Sequence, residues 1–305
     1  MGFTTNQLRA FVAVARAGSV TAAAGELVVS QPAVSGSLAA LAEELGVEPT
    51  ERAGRGIRLS PAGEAFLPYA TDILGLLDQG RLAAHEAAGR SERLVRIAAV
   101  TTAGEYLAPP LLRAFRTLRP DVELTLEVAN RERVFQHVLD HTADVGIGGR
   151  ATGDPRLVGE PFLPNELTLI VARDDPLAGA QEVPISALAD RTWLLREEGA
   201  GTRSMVEEIL ADAGLAPRTL TLGSNGAITH AVRVGLGVSI QSRVAVELEL
   251  RSGLLASVRL REPLPLRRWY ELSSSVGPRR PAVADFLAFL RSPEAAEAIE
   301  ASMRF

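Results

Sequence analysis

Apolar residues recur at helical spacing within the first 60 residues and predict two short helices joined by a tight connection. In the second helix the apolar side chains fall at i, i+4, i+7 and i+11, on one face: Val34, Leu38, Leu41 and Leu45. Ser30 is its predicted N-cap, and Pro32 is tolerated in a first turn. The opposite face offers small or hydrogen-bonding groups, among them Gln31 and Ser35. Such a helix, preceded by an Ala-rich one, suits insertion into the major groove of DNA.

A second, longer helical pattern begins at Ser60 and Pro61, which fit a cap and a first helical position. Apolar and small residues follow in alternating steps of four and three: Ala62, Phe66, Tyr69, Ile73, Leu76, Gly80, Ala83 and Ala87. A seam of this a/d type pairs with another helix. The alternative is a helix packed on the core of its own domain, but the position between two predicted domains favours a dimer contact.

After residue 90 the pattern changes to alternating strands and helices. Predicted strands lie at 95–100, 122–128, 144–148, 167–172, 192–195, 220–222, 238–241 and 269–274. Predicted helices lie at about 110–118, 132–141, 202–213, 225–234 and 282–290, and a final helix follows residue 293. This alternation indicates an α/β fold with parallel sheets.

Charge is distributed unevenly along the chain. The net charge is -5, so no global basic field favours nonspecific binding to DNA. Up to residue 60 five arginines balance five glutamates, an unusual balance for a phosphate-binding domain. Arg52, Arg55 and Arg58 nonetheless cluster in a Gly-rich hairpin, which we expect to contact phosphate. Helix N-termini add further phosphate-binding groups, and base contact falls to Gln31 and Ser35.

Several function classes find no support in the sequence. The chain has no cysteine, which excludes disulfides and thiolate sites. It shows no Gly-x-Ser-x-Gly elbow and no Walker loop, so we expect no enzyme and no cofactor. His137 and His141 stand four apart on a predicted helix, but no third metal ligand is indicated, which favours a surface pair. No secretory leader or membrane-length apolar run is evident, and we expect a cytoplasmic protein without membrane contact.

The first 63 residues resemble the winged helix-turn-helix of the LysR-type transcriptional regulators. In that family a Ser-Gln-Pro-Ala segment, here residues 30–33, opens the recognition helix. The resemblance implies contact with double-stranded promoter DNA by Ser30, Gln31, Pro32, Ser35, Arg52, Arg55 and Arg58. Further matches in spacing are Gly18-Ser19, Ala23-Ala24, Leu27, Glu44-Leu45-Gly46, Glu51-Arg52 and Ala62-Gly63. The alternative is a structural helix hairpin that reads no nucleic acid.

The departures from the family pattern bear on DNA affinity. Gly36, Ser37, Ala39 and Ala40 occupy positions where family members usually have Arg and Gln. We therefore expect weak intrinsic DNA affinity that oligomerisation restores. The family uses the long linker helix as its dimer contact, which implies a homodimer or a homotetramer.

The resemblance also implies a domain organisation. Residues 1–60 correspond to the winged helix-turn-helix, 61–90 to a linker helix and 91–305 to an effector-binding domain. In the family this last domain resembles a periplasmic binding protein, with two α/β lobes and a ligand in the cleft between them. On that template lobe one covers about 94–164 and 268–305, and lobe two about 165–267.

A glycine-rich stretch at residues 196–203 is the sharpest signal in the second half. Its glycines allow close backbone approach, and Thr202 as a cap would start a helix whose N–H groups attract an anion. A plain glycine-rich turn is an equal alternative. Other candidates follow predicted strands, because α/β folds bind ligands beyond strand carboxyl ends. The predicted effector residues are Thr101, Thr102, Asn130, Arg150, Gly201, Thr202, Arg203 and Gln241.

The glycine-rich stretch is accompanied by four further short segments: Asn130-Arg131-Glu132, Gly148-Gly149-Arg150, Gly223-Ser224-Asn225 and Arg268-Trp269-Tyr270. Together they resemble the branch of the family that includes the RuBisCO-operon regulators. The resemblance implies a small anionic effector, often phosphorylated. The predicted function is therefore that of a ligand-responsive DNA-binding regulator. The alternative is a solute-binding or enzymatic α/β protein that retains a vestigial helix-turn-helix.

Overall fold

The computed structural model describes residues 2–54, 56–88 and 93–303 of the chain. The chain divides into two compact units, Met1–Ala88 and Gly89–Phe305. No helix in the described ranges is both long and apolar enough to cross a membrane.

The first unit contains four helices and a two-stranded antiparallel hairpin among its described residues. In chain order they are α1 (Thr5–Ala17), α2 (Val20–Leu27), α3 (Gln31–Leu45), β1 (Thr50–Ala53), β2 (Gly56–Leu59) and α4 (Pro61–Ala87). Apolar side chains of α1 and α3 form its core, including Leu8, Phe11, Val34 and Leu41. The helix-turn-helix and wing predicted from the pattern are thus present.

Two predicted helix caps are confirmed. The Ser30 side chain accepts a hydrogen bond from the backbone N–H of Ala33 at 3.3 Å, and α3 begins at the next residue. The Ser60 side chain accepts one from Gly63 at 3.1 Å and donates to the carbonyl of Glu48 at 2.6 Å. The bond from Ser60 to Glu48 ties the start of α4 to the loop before β1.

The predicted seam on α4 is divided between two environments. The Phe66 ring lies 5.4 Å from Phe3 and 5.5 Å from Phe11, so it belongs to the core of its own unit. Ala70 is buried in the same core. Three apolar residues one helical turn apart are instead exposed: Tyr69, Ile73 and Leu77. The first turns of α4 therefore pack on the core of their own unit, as the alternative interpretation predicted. The pairing of α4 with another helix stays a prediction.

The second unit is an α/β structure. Its strands are β3 (Arg93–Val100), β4 (Val122–Ala129), β5 (Val145–Gly148), β6 (Leu157–Asn165), β7 (Leu167–Ala172), β8 (Trp193–Leu195), β9 (Thr219–Thr221), β10 (Ser239–Ser242), β11 (Leu255–Val258) and β12 (Arg267–Ser274). Its α-helices are α5 (Ala108–Leu118), α6 (Arg131–Leu139), α7 (Gly201–Asp212), α8 (Asn225–Arg233), α9 (Glu247–Arg251), α10 (Pro281–Leu290) and α11 (Pro293–Met303). A π-helical turn at Ala103–Leu107 precedes α5.

The strands form two lobes. One lobe has a five-stranded sheet in the order β4-β3-β5-β12-β6, in which β3 runs parallel to β4 and β5. The other lobe has the sheets β10-β7-β11 and β8-β9. The chain crosses between the lobes at residue 166 and again between β11 and β12.

The prediction of parallel sheets is confirmed for β3 with β4 and β5 and for β8 with β9, and it is wrong for the other strand pairs of this unit. Strand β12 runs antiparallel to β5 and β6, and β7 runs antiparallel to both of its neighbours. The chain enters each sheet from the other lobe at β7 and β12, so these strands do not follow a local strand–helix–strand unit. Strands β6 and β11 were not predicted, because their apolar residues are few and interrupted by proline, glycine and serine.

Both faces of each main sheet are covered. On one face of β3, Ile97 packs in a core with Phe115 and Phe286, and on the other Ala98 packs with Val138 and Leu272. Strands buried on both sides appear in sequence as continuous apolar runs. These covered sheets hold the strand ends, and the loops that follow them, in fixed positions.

Candidate functional site

The exposed face at the start of α3 presents the residues predicted to contact DNA. Ser30, Gln31, Pro32 and Ser35 are all exposed, while Val34 on the opposite side is buried. Gly36 and Ala39 extend this exposed face with small groups. The helix therefore has the shape for a groove and few hydrogen-bonding side chains with which to read base edges.

The wing arginines differ from one another in their pairing. Arg58 lies directly across the hairpin from Glu51, and their side chains form an ion pair of 2.7 Å. Arg52 is exposed and has no carboxylate partner among the residues that the structure describes. Arg55 lies outside the described residues. Of the three wing arginines predicted to contact phosphate, Arg58 is thus partly neutralised by Glu51.

A polar cleft lies between the two lobes of the second unit. Strands β3 and β4 of one lobe end beside it, and α7 of the other lobe begins there. Its volume is about 50 Å³, which is room for water but not for a metabolite. The residues that line it are Val100, Thr101, Thr102, Asn130, Arg131, Gly149, Asn165, Leu167, Arg196, Glu197, Ala200, Gly201, Thr202, Ser242, Arg267 and Trp269.

The structure brings five of the eight predicted effector residues into the lining of this cleft: Thr101, Thr102, Asn130, Gly201 and Thr202. They come from strand ends of one lobe and a helix start of the other, as the topology rule predicts. Their contact with an effector stays a prediction.

The other three predicted residues lie elsewhere. The Arg203 side chain turns to Glu207 at 2.8 Å, and Gln241 is buried within its lobe, where its amide donates to the Ser239 hydroxyl at 2.8 Å. Ser242, the next residue on β10, lines the cleft instead, because successive strand residues face opposite sides. Arg150 is exposed outside the lining.

Helix α7 begins one residue earlier than predicted. Its N-cap position is Ala200, Gly201 is the first helical residue, and no side chain caps the helix. The prediction of Thr202 as the cap is therefore wrong. Gly199 precedes the cap with a φ of 82°, a left-handed conformation that favours glycine. A helix start without a side-chain cap leaves N–H groups and a positive dipole end available to an anion.

Two arginines missed from sequence dominate the charge of the cleft. The Arg267 guanidinium donates to the carbonyl of Gly201 at 3.2 Å, and no described carboxylate pairs with it. Burial, and then the charge of Arg131, lowers the pKa of Arg267 from its ordinary value, although the charge of Glu208 opposes this. Arg131 donates to the carbonyl of Arg150 at 3.0 Å and to the Thr152 hydroxyl at 3.1 Å.

Arg131 retains unused hydrogen-bonding capacity. Its guanidinium lies 5.1 Å from the centre of the Phe135 ring, and its Nε is buried without a hydrogen-bond partner among the described residues. The sequence signal for both missed arginines was their position: Arg131 follows Asn130 after a strand, and Arg267 stands at a lobe crossover.

A third arginine of the cleft is paired. Arg196 is only 3% exposed and forms hydrogen bonds of 2.7 and 2.8 Å with the Glu197 carboxylate. Burial raises the pKa of Glu197, but the bonds to Arg196 outweigh this and lower it below its ordinary value. Three arginines against one glutamate leave the lining with a net charge of +2. Such a cleft attracts an anion.

Metal binding is not indicated in the parts of the chain that the structure describes, where no three His, Asp or Glu side chains form a cluster. Helix α6 ends at Leu139, so His141 is not on it, contrary to prediction. The His137 ring nitrogens lie 2.9 Å from the Thr142 hydroxyl and 2.9 Å from the Glu127 carboxylate.

Family models match both units. The model described as "Bacterial regulatory helix-turn-helix protein, lysR family" matches residues 5–64, and "LysR substrate binding domain" matches residues 88–293. The chain belongs to the LysR family, and it is a transcriptional regulator with an effector-binding domain.

Relatives with curated names extend over nearly the whole chain. The RuBisCO operon transcriptional regulator of Allochromatium vinosum is 35% identical over 297 residues, covering 97% of this chain and 98% of that protein. The HTH-type transcriptional activator CmpR of Synechocystis sp. is 34% identical over 269 residues, 88% of each chain. These relatives are regulators, which decides against the alternative of an enzymatic or solute-binding protein.

Solved structures agree with this assignment. The CcmR regulatory domain of Synechocystis PCC6803, in complex with 2-PG, superposes with a TM-score of 0.61 at 33% identity, covering 65% of this chain and 95% of that one. Full-length CbnR complexed with target DNA superposes with a TM-score of 0.61 at 26% identity, covering 94% of this chain and 99% of that one.

Proposed function

We propose that the interlobe cleft binds a small anionic effector and that this binding alters how the regulator engages its promoter. The observation that carries the proposal is Arg267, a half-buried cation beside the uncapped start of α7 with no described carboxylate partner. Even partial burial of a cation that no carboxylate contacts is costly, and an anionic ligand would supply the missing partner.

The remaining lining supports the same class of ligand. Thr101, Thr102 and Thr202 offer hydroxyl donors from both lobes, and Asn130 offers an amide. An anion held by these groups would contact both lobes at once and favour their closure. The similar CcmR domain was solved with 2-PG, which makes 2-PG the natural first probe.

Effector entry requires a rearrangement. Ligand pockets for small molecules usually have volumes of about 300–1,000 Å³, whereas the cleft here has about 50 Å³. The described conformation is thus a closed one, and ligand entry requires the lobes to separate or Arg267 to move. A population shift between such states would transmit binding to the oligomer.

The DNA-binding face follows from the exposed residues of the first unit. We infer that Gln31 and Ser35 contact base edges. Ser30 and Pro32 would place the start of α3 against the sugar-phosphate backbone of the DNA. Arg52, with Arg55 and Arg58, would contact phosphates from the wing. The similar CbnR was solved with its target DNA.

Assembly is the third part of the proposal. The exposed residues Tyr69, Ile73 and Leu77 on α4 fit a helix pairing in a homodimer or in a homotetramer. Glutamates at Ile73 and Leu77 should therefore lower the mass measured by light scattering. An unchanged mass would show that this face of α4 is not a subunit contact.

Replacing the unpaired arginine tests the effector site. In the full-length protein, 2-PG should raise the melting temperature, because a ligand that binds the native state stabilises it. Arg267→Met keeps the length of the side chain and removes its charge. We expect a loss of affinity of roughly 10- to 150-fold, the range for hydrogen bonds to charged groups of about 1.5–3 kcal/mol.

Arg150→Met is the matched control, because Arg150 is exposed outside the lining of the cleft. Calorimetric titration of both variants separates local from general charge effects. Equal affinities for the two variants, or tighter binding by the Arg267 variant, would contradict an anion site at Arg267.

A further inference from the structure

A hydrogen-bonded chain centred on Asn225 crosses between the lobes beside the cleft, in addition to the bond from Arg267 to Gly201. The Nδ2 of Asn225, in lobe two, donates to the Thr102 hydroxyl at 3.1 Å and to the Glu105 carboxylate at 3.2 Å, both in lobe one. Its Oδ1 accepts from Nη1 of Arg196 at 2.6 Å, within lobe two. Asn225 is only 1% exposed.

The chemistry of the partners fixes the orientation of the Asn225 amide. A guanidinium only donates hydrogen bonds and a carboxylate only accepts them. The oxygen of the amide must therefore face Arg196, and its nitrogen must face Glu105. A reversed amide would lose both bonds. It would also place its NH₂ group against the Arg196 guanidinium and its oxygen against the Glu105 carboxylate, away from water.

Backbone structure holds both ends of this chain in place. Asn225 is the first residue of α8, and the preceding Ser224 caps that helix by accepting from Ala227 at 3.1 Å. On the other side, Thr102 and Glu105 stand at the π-helical turn after β3. A Cβ at Gly104 in that turn would lie 2.6 Å from a Val128 methyl group, so the turn packs closely on β4.

Asn225 itself does not line the cleft, but two of its partners do. Arg196 lines it from lobe two and Thr102 from lobe one. Any ligand that draws a hydrogen bond from either group acts on a side chain that Asn225 holds. Side-chain networks of this kind link the position of one lobe to that of the other.

We propose that Asn225 is a positioning residue that couples occupancy of the cleft to closure of the lobes. It orients Arg196 and Thr102 toward the cleft, and its bonds across the lobes favour the closed arrangement. This inference rests on the proposed function for the response to an effector, but its effect on the lobes of the free protein is independent of any ligand.

Three variants separate the parts of this role. Asn225→Asp keeps an acceptor for Arg196, removes the donor to lobe one and places a carboxylate next to Glu105. Asn225→Ala removes both sets of bonds. Ser224→Ala is the matched control, because it weakens the cap of the same helix and leaves the bonds of Asn225 in place.

The lack of cysteine allows clean labelling of the full-length protein. Arg116→Cys in lobe one and Asp212→Cys in lobe two are exposed sites for a pair of spin labels. Labelled chains diluted into excess unlabelled protein report the distance between lobes within one chain. The distance is measured with and without 2-PG, and 2-PG affinity is measured by calorimetry on the unlabelled variants.

We expect the ratio of open to closed chains without ligand to rise about fivefold in Asn225→Ala, the factor that one net hydrogen bond of about 1 kcal/mol gives. Asn225→Asp should open the lobes at least as far. Both variants should also bind 2-PG at least fivefold more weakly, because Arg196 and Thr102 lose the side chain that orients them, while Ser224→Ala changes only the melting temperature. Wild-type distances in both Asn225 variants would overturn the proposal.

A double-mutant cycle supplies the second test. Thr102→Val removes the hydroxyl in lobe one, and its effect on the open fraction should not add to that of Asn225→Ala if the two groups act through one bond. Additive effects of the two substitutions would contradict a bond between Asn225 and Thr102 that favours the closed lobes. If the wild-type protein binds no 2-PG, the probe and the proposed function fail, while the distances without ligand still decide the role of Asn225.

Discussion

Glu271 is a buried carboxyl in the middle of a sheet. It lies on β12 between Ile147 of β5 and Glu160 of β6, and one oxygen is 3.4 Å from Arg291. Its other oxygen is buried without a hydrogen-bond partner among the described residues. Burial raises the pKa of Glu271 to about 7, with a further contribution from Glu160, although the charges of Arg291 and Arg279 oppose it.

A raised carboxyl pKa makes stability depend on pH. The folded protein favours the protonated form, so this contribution is complete below the ordinary pKa of 4.5 and is lost as the pH rises through 7. Glu271→Gln mimics the protonated group. Urea unfolding should show the variant more stable than wild type by roughly 1–3 kcal/mol at pH 8, and near-equal stability at pH 4.5.

Glu123→Gln, at an exposed site on β4, serves as the control and should leave the pH dependence unchanged. A constant difference between wild type and Glu271→Gln across this pH range would show that Glu271 does not titrate there. Nothing in the local sequence pattern indicated a buried carboxyl at Glu271, because its burial depends on the antiparallel pairing of β12 with β6.

The turn between α2 and α3 contains a strained residue. Val28 has φ 55° and ψ 44°, the left-handed conformation that β-branched residues rarely adopt, and it is 90% exposed. Its backbone N–H bonds to the carbonyls of Ala24 and Gly25 at the end of α2. The tight connection between the two helices thus fixes this backbone, whichever side chain it holds.

Relief of that strain should stabilise the first unit. Asn tolerates the left-handed region, so Val28→Asn should raise the free energy of unfolding by about 0.5–1.5 kcal/mol, part of the roughly 1–2 kcal/mol cost of this conformation. Thermal unfolding measures the change. Val47→Asn, at another exposed valine with no positive φ, should give no such gain. Equal effects of the two substitutions would exclude strain as the cause.

The wing hairpin pairs one of its own charges. Because Arg58 is bound to Glu51, Arg52→Ala should flatten the slope of log affinity against log salt more than Arg58→Ala does. Each lost phosphate contact lowers the slope by about one. Glu51→Gln should release Arg58 and steepen the slope. Gel-shift titrations over a salt series measure this, and a flatter slope in Arg58→Ala than in Arg52→Ala would reverse the assignment.

The helices of the first unit were the elements most open to prediction from sequence. The apolar spacing of α3 and the Ser30 cap are local features, and local features appear in sequence. The start of α7 was misplaced because Thr202 looked like a cap, whereas two glycines allowed the helix to begin at Gly201 without one. Local pattern also missed β6 and β11, whose pairing partners are distant along the chain.

At the scale of the whole molecule, the cleft could be predicted only in part. Strand ends gave Thr101, Thr102 and Asn130, because the topology rule needs only the order of elements. Arg267 was missed although the lobe boundary was predicted beside it, because it begins an antiparallel strand and the rule selects residues that follow strands. Gln241 was predicted in place of its neighbour Ser242, because the register of a strand decides which of two successive side chains faces the cleft.

The near-absence of open volume in the cleft has a kinetic consequence. A ligand larger than the available space cannot enter the described conformation, so entry waits for the lobes to open or for Arg267 to move aside. In rapid mixing with increasing 2-PG, the observed binding rate should then level off at the opening rate, which for lobe motions lies on the microsecond-to-millisecond scale. At high effector concentration the rate of binding would then be set by the regulator's own motion, and the metabolite concentration would set only the final occupancy.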